Sequence, residues 1–103
     1  MASAINDVIQ SAQLILYVSK VDELEFYANV QLQDSVIRRL TIIGEAAGRL
    51  SDETREAIPD IEWHKFKGMR NRLIHKYDEI DIDLVWDITQ QELSVLIQAI
   101  RTY

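Results

Sequence analysis

Apolar residues recur every three or four positions along almost the whole chain, and no long stretch alternates between apolar and polar residues. Residues at that spacing lie on one face of a helix, whereas strict alternation is typical of a half-buried strand. The pattern therefore predicts helices and no sheet. The expected helices follow the periodic stretches in chain order: residues 3–20, 27–50, 61–76 and 81–101.

Polar residues between these stretches indicate how the helices begin and end. Ser51 is an N-cap candidate followed by acidic residues, and it predicts a short helical turn that Pro59 ends. We expect Asp60 to cap the third helix and either Asp81 or Asp83 to start the fourth.

Four amphipathic helices with short connections are typical of an antiparallel bundle. We expect the first connection at the polar residues 19–25. A chain of 103 residues has room for one domain, residues 1–103, with a modest core. One proline and three glycines are fewer turn residues than a protein of many short strands normally needs. The predicted fold is all-α.

The composition excludes several kinds of site. Cysteine is absent, which rules out disulfides and cysteine-based metal or nucleophile sites. With two histidines and no obvious carboxylate cluster, we expect no metal or other cofactor. No apolar run approaches the roughly 18 residues of a membrane span, and MASAINDVIQ lacks the basic start of a signal peptide. We therefore expect a cytoplasmic protein.

The charge is unevenly distributed. A net charge of −6 argues against a nucleic-acid partner for the chain as a whole. Residues 63–77, WHKFKGMRNRLIHKY, nevertheless carry +5, which leaves −11 elsewhere. Such a basic segment can attract phosphate, because charges within about a Debye length dominate; the alternative is a solvated helix face. Its basic residues are Lys65, Lys67, Arg70, Arg72 and Lys76.

In a continuous third helix, Arg70 would lie inside an apolar stripe. A charge in such a stripe is costly unless it is paired or the surface is not closed core. One account is an internal partner, Glu45 or Glu92. The other is that the stripe lines a cleft or a subunit interface, where Arg70 meets an anion. The apolar members of the stripe are Trp63, Phe66, Leu73, Ile74 and Tyr77.

Arg70 and His75 together supply the chemistry of RNA cleavage. An arginine offers a fork of donors to phosphate oxygens and stabilises developing charge, and a histidine with a pKa of about 6.5 transfers protons near neutral pH. RNA brings its own nucleophile, the 2′-hydroxyl. Asn71 lies four residues before His75, on the same helix face. The spacing of five residues between Arg70 and His75 also occurs by chance in many helices, where a structural histidine is the commoner case.

The stretch RNRLIHKY resembles the R-x4-H-x-Y motif of the HEPN superfamily, in its HepT-like branch. Arg70, His75 and Tyr77 fall on the motif's arginine, histidine and tyrosine, and Asn71 follows the arginine, where polar residues are frequent. The flanks, IPDIEWHKFKGMRNRLIHKYDEIDIDLVW, are similar to the pattern I-P-x-x-x-W…G-M-R-N-x-L-x-H-x-Y…I-D…V-W of the family. IGEAAGRL in the second helix is also typical, so the resemblance covers nearly the whole chain.

The resemblance implies a helical bundle that forms a homodimer with helix three near the two-fold axis and one composite cleft. It implies a metal-independent endoribonuclease with Arg70 and His75 as catalytic residues, supported by Asn71. HepT-like members are toxins of toxin–antitoxin pairs. Their partner is a small, MntA-like nucleotidyltransferase, and some partners attach AMP to the motif tyrosine, here Tyr77.

The remaining basic and aromatic residues of this region have secondary roles in the prediction. We expect His64 at the surface, and Trp63 and Trp86 as packing anchors rather than base-stacking platforms. Two alternatives to a ribonuclease stay open: a non-catalytic subunit that presents nucleotide or substrate to a nucleotidyltransferase, and a plain dimeric scaffold. The residues expected to contact RNA phosphates, or to be merely solvated, are Lys67, Arg72 and Lys76.

Overall fold

The computed structural model describes residues 3–18, 20–74 and 79–101. Within these ranges most residues are helical, with one isolated β-bridge and no strand, which confirms the predicted all-α bundle. The helices are α1 Ala4–Val18, α2 Glu23–Ala28, α3 Val30–Arg49, α4 Asp52–Ala57, α5 Trp63–Lys67, α6 Met69–Leu73, α7 Ile82–Asp87, a π-helical segment Ile88–Glu92 and α8 Leu93–Arg101.

In the core of the bundle α1 packs against both α3 and α8, and α5 packs on the C-terminal half of α3, at Gly44 and Gly48. α1 and α3 run antiparallel, since Arg49 in the last turn of α3 pairs with Asp7 in the first turn of α1 at 2.8 Å. None of the helices in the described ranges has the length and apolar character needed to span a membrane. The core includes these fully buried side chains: Val8, Ile15, Val36, Leu40, Ile43, Leu93 and Leu96.

The first connection contains a helix that the sequence pattern did not predict. Asp22 caps α2, because its side chain accepts a hydrogen bond from the Glu25 amide at 2.9 Å. Phe26 anchors this helix in the core and contacts Trp86, with 5.1 Å between the ring centres. Asn29 then caps α3, so the second long helix begins at residue 30 and not at 27.

Two of the predicted caps are confirmed and one is wrong. Ser51 accepts a hydrogen bond from the Thr54 amide at 3.1 Å, and Asp81 accepts one from the Leu84 amide at 3.0 Å. Asp60 caps nothing, because the turn after Pro59 extends two residues further and α5 begins after residue 62, without a side-chain cap.

The predicted third helix is shorter than expected and divided. Gly68 separates α5 from α6 with a φ of −87° and a ψ of 15°. Ile74 has an extended backbone and forms the isolated antiparallel bridge with Ile80, while the Asp81 amide donates to the Leu73 carbonyl at 2.8 Å. The helix therefore ends at Leu73, three residues before the predicted end.

The predicted fourth helix contains a π turn in its middle. α7 continues through the π-helical segment into α8 without leaving the helical region. Thr89 in this segment is buried, and its hydroxyl donates to the Trp86 carbonyl at 2.6 Å. Trp86 is half-buried and Trp63 is buried beside Phe66, which confirms that both tryptophans serve packing.

Candidate active site

The predicted catalytic arginine is carried by α6, a helix of five residues. Met69 and Leu73 are completely buried, at 0% and 1% exposure, and they fix one face of this helix against the core. Arg70 and Asn71 are exposed. The prediction that Arg70 lies in the apolar stripe is wrong, since the break at Gly68 turns Met69 inward instead.

A close approach between two helices sets the position of α6. A Cβ atom on Gly44 of α3 would lie 2.7 Å from the Phe66 carbonyl oxygen and 3.1 Å from the Met69 Cβ. Only glycine leaves room for the backbone of α5 and α6 at this distance from α3. The sequence carries a signal of this contact, because a glycine inside a strongly periodic helix is costly without a packing reason.

Arg72 is held by an internal ion pair. Its two terminal nitrogens donate to the two carboxylate oxygens of Glu92 at 3.0 and 2.7 Å. This hydrogen bonding to Glu92 raises the pKa of Arg72 above its ordinary value, although partial burial acts in the opposite direction. Glu92 is thus the partner of Arg72 and not of Arg70.

Arg70 differs from Arg72 in having no partner for its charge within the described residues. Among the described residues, no side chain or backbone group forms an ion pair or hydrogen bond with its guanidinium. Glu45, the other predicted partner, is exposed on α3 and makes no ion pair within the described ranges. The account in which Arg70 meets an external anion is therefore the one that the geometry favours.

The other basic residues differ in how far they are already paired. Lys65 lies 2.6 Å from the Glu62 carboxylate, and this hydrogen bond lowers the pKa of Glu62 below its ordinary value. Lys67 is exposed, its stem lies 3.7 Å from a Cβ built on Gly48, and no ion pair engages it among the described residues. His64 is exposed, as predicted.

Three predicted site residues, His75, Lys76 and Tyr77, lie outside the described residues. Ile74 and Ile80, the described residues on either side of this part of the sequence, form an antiparallel bridge with each other. Arg70 lies one helical turn before this bridge.

Glu92 also lines a groove, which Arg70 and Asn71 do not line. The groove has a volume of about 490 Å³ and separates the loop before α5 from the π-helical segment and α8. Both charged and apolar side chains line the groove. They include the Glu62–Lys65 ion pair and the apolar residues Phe66 and Val95.

Comparison with known proteins identifies the chain's relatives. The family model described as "Ribonuclease HepT-like" matches residues 7–103. The chain belongs to the HepT-like ribonuclease family. This confirms the family assignment made from RNRLIHKY and its flanks.

Similar proteins cover most of the HepT-like chain. A protein of Methanocaldococcus jannaschii, provisionally named an RNase, is 39% identical over 88 residues, which are 84% of this chain and 81% of the relative. One of Thermococcus cleftensis, provisionally named ribonuclease HepT, is 28% identical over 89% of this chain and 84% of its own. A protein of Caldanaerobacter subterraneus, provisionally named an RNase, is 31% identical over 85% of this chain and 79% of the relative. No solved structure matches the chain.

Proposed function

We propose that this HepT-like protein is a metal-independent endoribonuclease and the toxin of a toxin–antitoxin pair. The observation that carries the proposal is the contrast between two arginines on one short helix. Arg72 is neutralised by Glu92, whereas Arg70, which begins the Arg-x4-His spacing, is exposed and without an ion-pair partner among the described residues. Family membership supports an RNA substrate.

The cleavage step uses the substrate's own nucleophile. The ribose 2′-oxygen attacks the adjacent phosphorus, the bond from phosphorus to the 5′-oxygen breaks, and the products are a 2′,3′-cyclic phosphate and a free 5′-hydroxyl. His75 takes the proton of the 2′-hydroxyl or delivers one to the leaving oxygen. Arg70 stabilises the charge that builds on the phosphoryl oxygens, and the Asn71 amide hydrogen-bonds the same group.

Positively charged residues around Arg70 position the RNA backbone. Lys67, one turn before Asn71 and unpaired among the described residues, and Lys76 are proposed to contact neighbouring phosphates. Arg72 makes such a contact only where a phosphate replaces Glu92, because both of its terminal nitrogens are bonded to that carboxylate.

The cleft is proposed to be completed by a second copy of the chain. α6 presents Arg70 and Asn71 on an exposed face, and a two-fold axis beside this face would bring both copies of the motif together. Two His75 side chains would then be available, one as base and one as acid. A partner nucleotidyltransferase of the MntA type is proposed to silence the toxin.

The test is cleavage of a defined RNA by the purified protein in EDTA. We expect activity in the chelator, a loss of about 10²–10³-fold in Arg70→Ala and about 10²–10⁴-fold in His75→Ala. Arg38→Ala, at an exposed arginine on α3, removes the same charge elsewhere and is the matched control. Full activity of both Arg70→Ala and His75→Ala would contradict the assignment of these two residues as catalytic. Tight RNA or nucleotide binding with no product identifies a non-catalytic binding subunit instead.

A further inference from the structure

We propose that Glu92 is a positioning residue for Arg70, acting through Arg72 and helix α6. The inference rests on the proposed function, because it concerns how the catalytic arginine is aimed. The Glu92 carboxylate bonds Arg72, which lies about 160° around α6 from Arg70, and it pairs with no other side chain in the described ranges.

Helix α6 cannot fix its own orientation. It has five residues, far fewer than the roughly 12–15 at which an isolated helix becomes marginally stable in water. It is bounded by the break at Gly68 and by the extended backbone of Ile74. The direction of Arg70 is therefore set by the contacts that α6 makes with the rest of the bundle.

The apolar contacts of α6 lie along a single line. Met69 and Leu73 are four residues apart, so their side chains stack on one face. At about 100° per residue, Arg70 and Arg72 each lie about 80° from the centre of that line, on opposite sides. One line of contact allows the helix to roll, and a second attachment off that line prevents it. The Arg72–Glu92 pair is that attachment.

The geometry of this pair suits a rigid attachment. A bidentate arginine–carboxylate contact fixes orientation as well as distance, and here the two bonds measure 3.0 and 2.7 Å. The Arg72 and Glu92 side chains are 26% and 32% exposed, so water screens them only in part. Glu92 is the last residue of the π-helical segment, and the buried residues Thr89 and Leu93 fix this part of the backbone in the core.

Pinning Arg72 on one side of α6 therefore sets where Arg70 points on the other. A guanidinium displaced by about 1 Å from the reacting phosphate costs on the order of 10²-fold in rate. Binding of the RNA backbone by lysines outside α6, such as Lys67, is not affected by this displacement. Loss of the pair should consequently lower kcat much more than it raises KM.

The experiment measures kcat, KM and thermal unfolding for Glu92→Gln, which keeps the size of the side chain and one acceptor oxygen. We expect kcat about 10–100-fold below that of the parent protein, with little change in KM. The charge exchange, Arg72→Glu together with Glu92→Arg, should restore most of the lost rate. Glu62→Gln is the matched control, since it removes an exposed, ion-paired glutamate from the same groove and should leave kcat unchanged.

A double variant that carries both Glu92→Gln and Arg70→Ala distinguishes a positioning role of Glu92 from a general loss of stability. It also allows the inference and the proposed function to fail separately. If Glu92 acts through Arg70, then Glu92→Gln causes no further loss in the Arg70→Ala background. The inference alone is overturned if the rate losses of Glu92→Gln and Arg70→Ala multiply in the double variant. It is also overturned if a folded Glu92→Gln variant cleaves RNA at the parent rate while cleavage still depends on Arg70. Cleavage that does not depend on Arg70 overturns the proposed function together with it.

Discussion

Gly44 of α3 faces the backbone of Phe66 so closely that a Cβ atom on it would lie 2.7 Å from the Phe66 carbonyl oxygen. The obstructing atom belongs to the main chain, so it cannot move aside as a flexible side chain would. The approach of α5 and α6 to α3 depends on this absence of a side chain.

Gly44→Ala should therefore destabilise the protein although it favours helix formation. We expect a loss of about 1–3 kcal/mol from overpacking, offset in part by the roughly 1 kcal/mol that alanine contributes in a helix. Gly48→Ala is the control on the same helix, because its new methyl group meets only the Lys67 stem at 3.7 Å. Urea unfolding of both variants measures the difference; equal stabilities would contradict the close contact.

The hydrogen bond between Tyr27 and Asp83 should make stability depend on alkaline pH. The Tyr27 hydroxyl donates to the Asp83 carboxylate at 2.6 Å, and this bond raises the pKa of Tyr27 from 10.0 to about 12. The folded state keeps the proton that the unfolded state loses at about pH 10. The stabilisation is thus fully present below pH 10 and is lost as the pH rises towards 12.

Urea unfolding of the parent protein and of Tyr27→Phe across this range measures the effect. The difference in unfolding free energy should be constant up to about pH 10 and should shrink between 10 and 12. Tyr17→Phe, at a tyrosine that is 78% exposed, is the control for loss of a hydroxyl. Parallel curves for the parent and Tyr27→Phe up to pH 12 would show that the Asp83 contact is not formed.

The proposed dimer predicts twice the chain mass of 12.0 kDa in light scattering at high micromolar concentration. Because the chain has no cysteine, single-cysteine variants test the orientation of the two copies. Asn71→Cys, on the exposed face of α6, should be joined across the two-fold axis by a short bifunctional thiol reagent. Glu53→Cys, exposed on α4, should not. A strict monomer would exclude the composite cleft.

Tyr77 is proposed as the point of control by the partner enzyme. Its phenolic oxygen would attack the α-phosphorus of ATP, pyrophosphate would leave, and a base of the partner would take the proton. The added nucleotide and its negative charge would exclude RNA from the cleft. Intact-mass spectrometry after coexpression with the proposed MntA-type nucleotidyltransferase should show AMP increments that disappear in Tyr77→Phe. Silencing without a mass increment would indicate inhibition by binding alone.

The predictability of each helix end depended on how local its cause is. The Ser51 and Asp81 caps are hydrogen bonds to an amide three residues along, so the sequence nearby was sufficient to predict them. The predicted third helix is instead divided at Gly68 and ended by the bridge between Ile74 and Ile80. Neither feature changes the apolar period of residues 61–76, and this is why Arg70 was predicted on the wrong face.

The π turn in helix four did leave a signal. At about 100° per residue, the buried positions as far as the first residues of the π-helical segment, Val85, Ile88 and Thr89, centre on a direction about 80° away from that of the buried positions in α8. A uniform α-helix would need an unusually wide apolar face to bury both sets. The family could be predicted from the sequence alone, because the motif residues RNRLIHKY are contiguous and are recognisable without knowledge of the fold.

The π-helical segment also decides how the chain would respond to a change in length. Residues 88–92 hold one residue more than an α-helical course over the same span. Losing one of them would restore a regular α-helix, and α8 would keep nearly the same face towards the core, with Leu93 and Leu96 still buried. A single codon deleted here would therefore be absorbed locally, as in an exposed loop, whereas the same deletion within α8 would turn every later residue by about 100°.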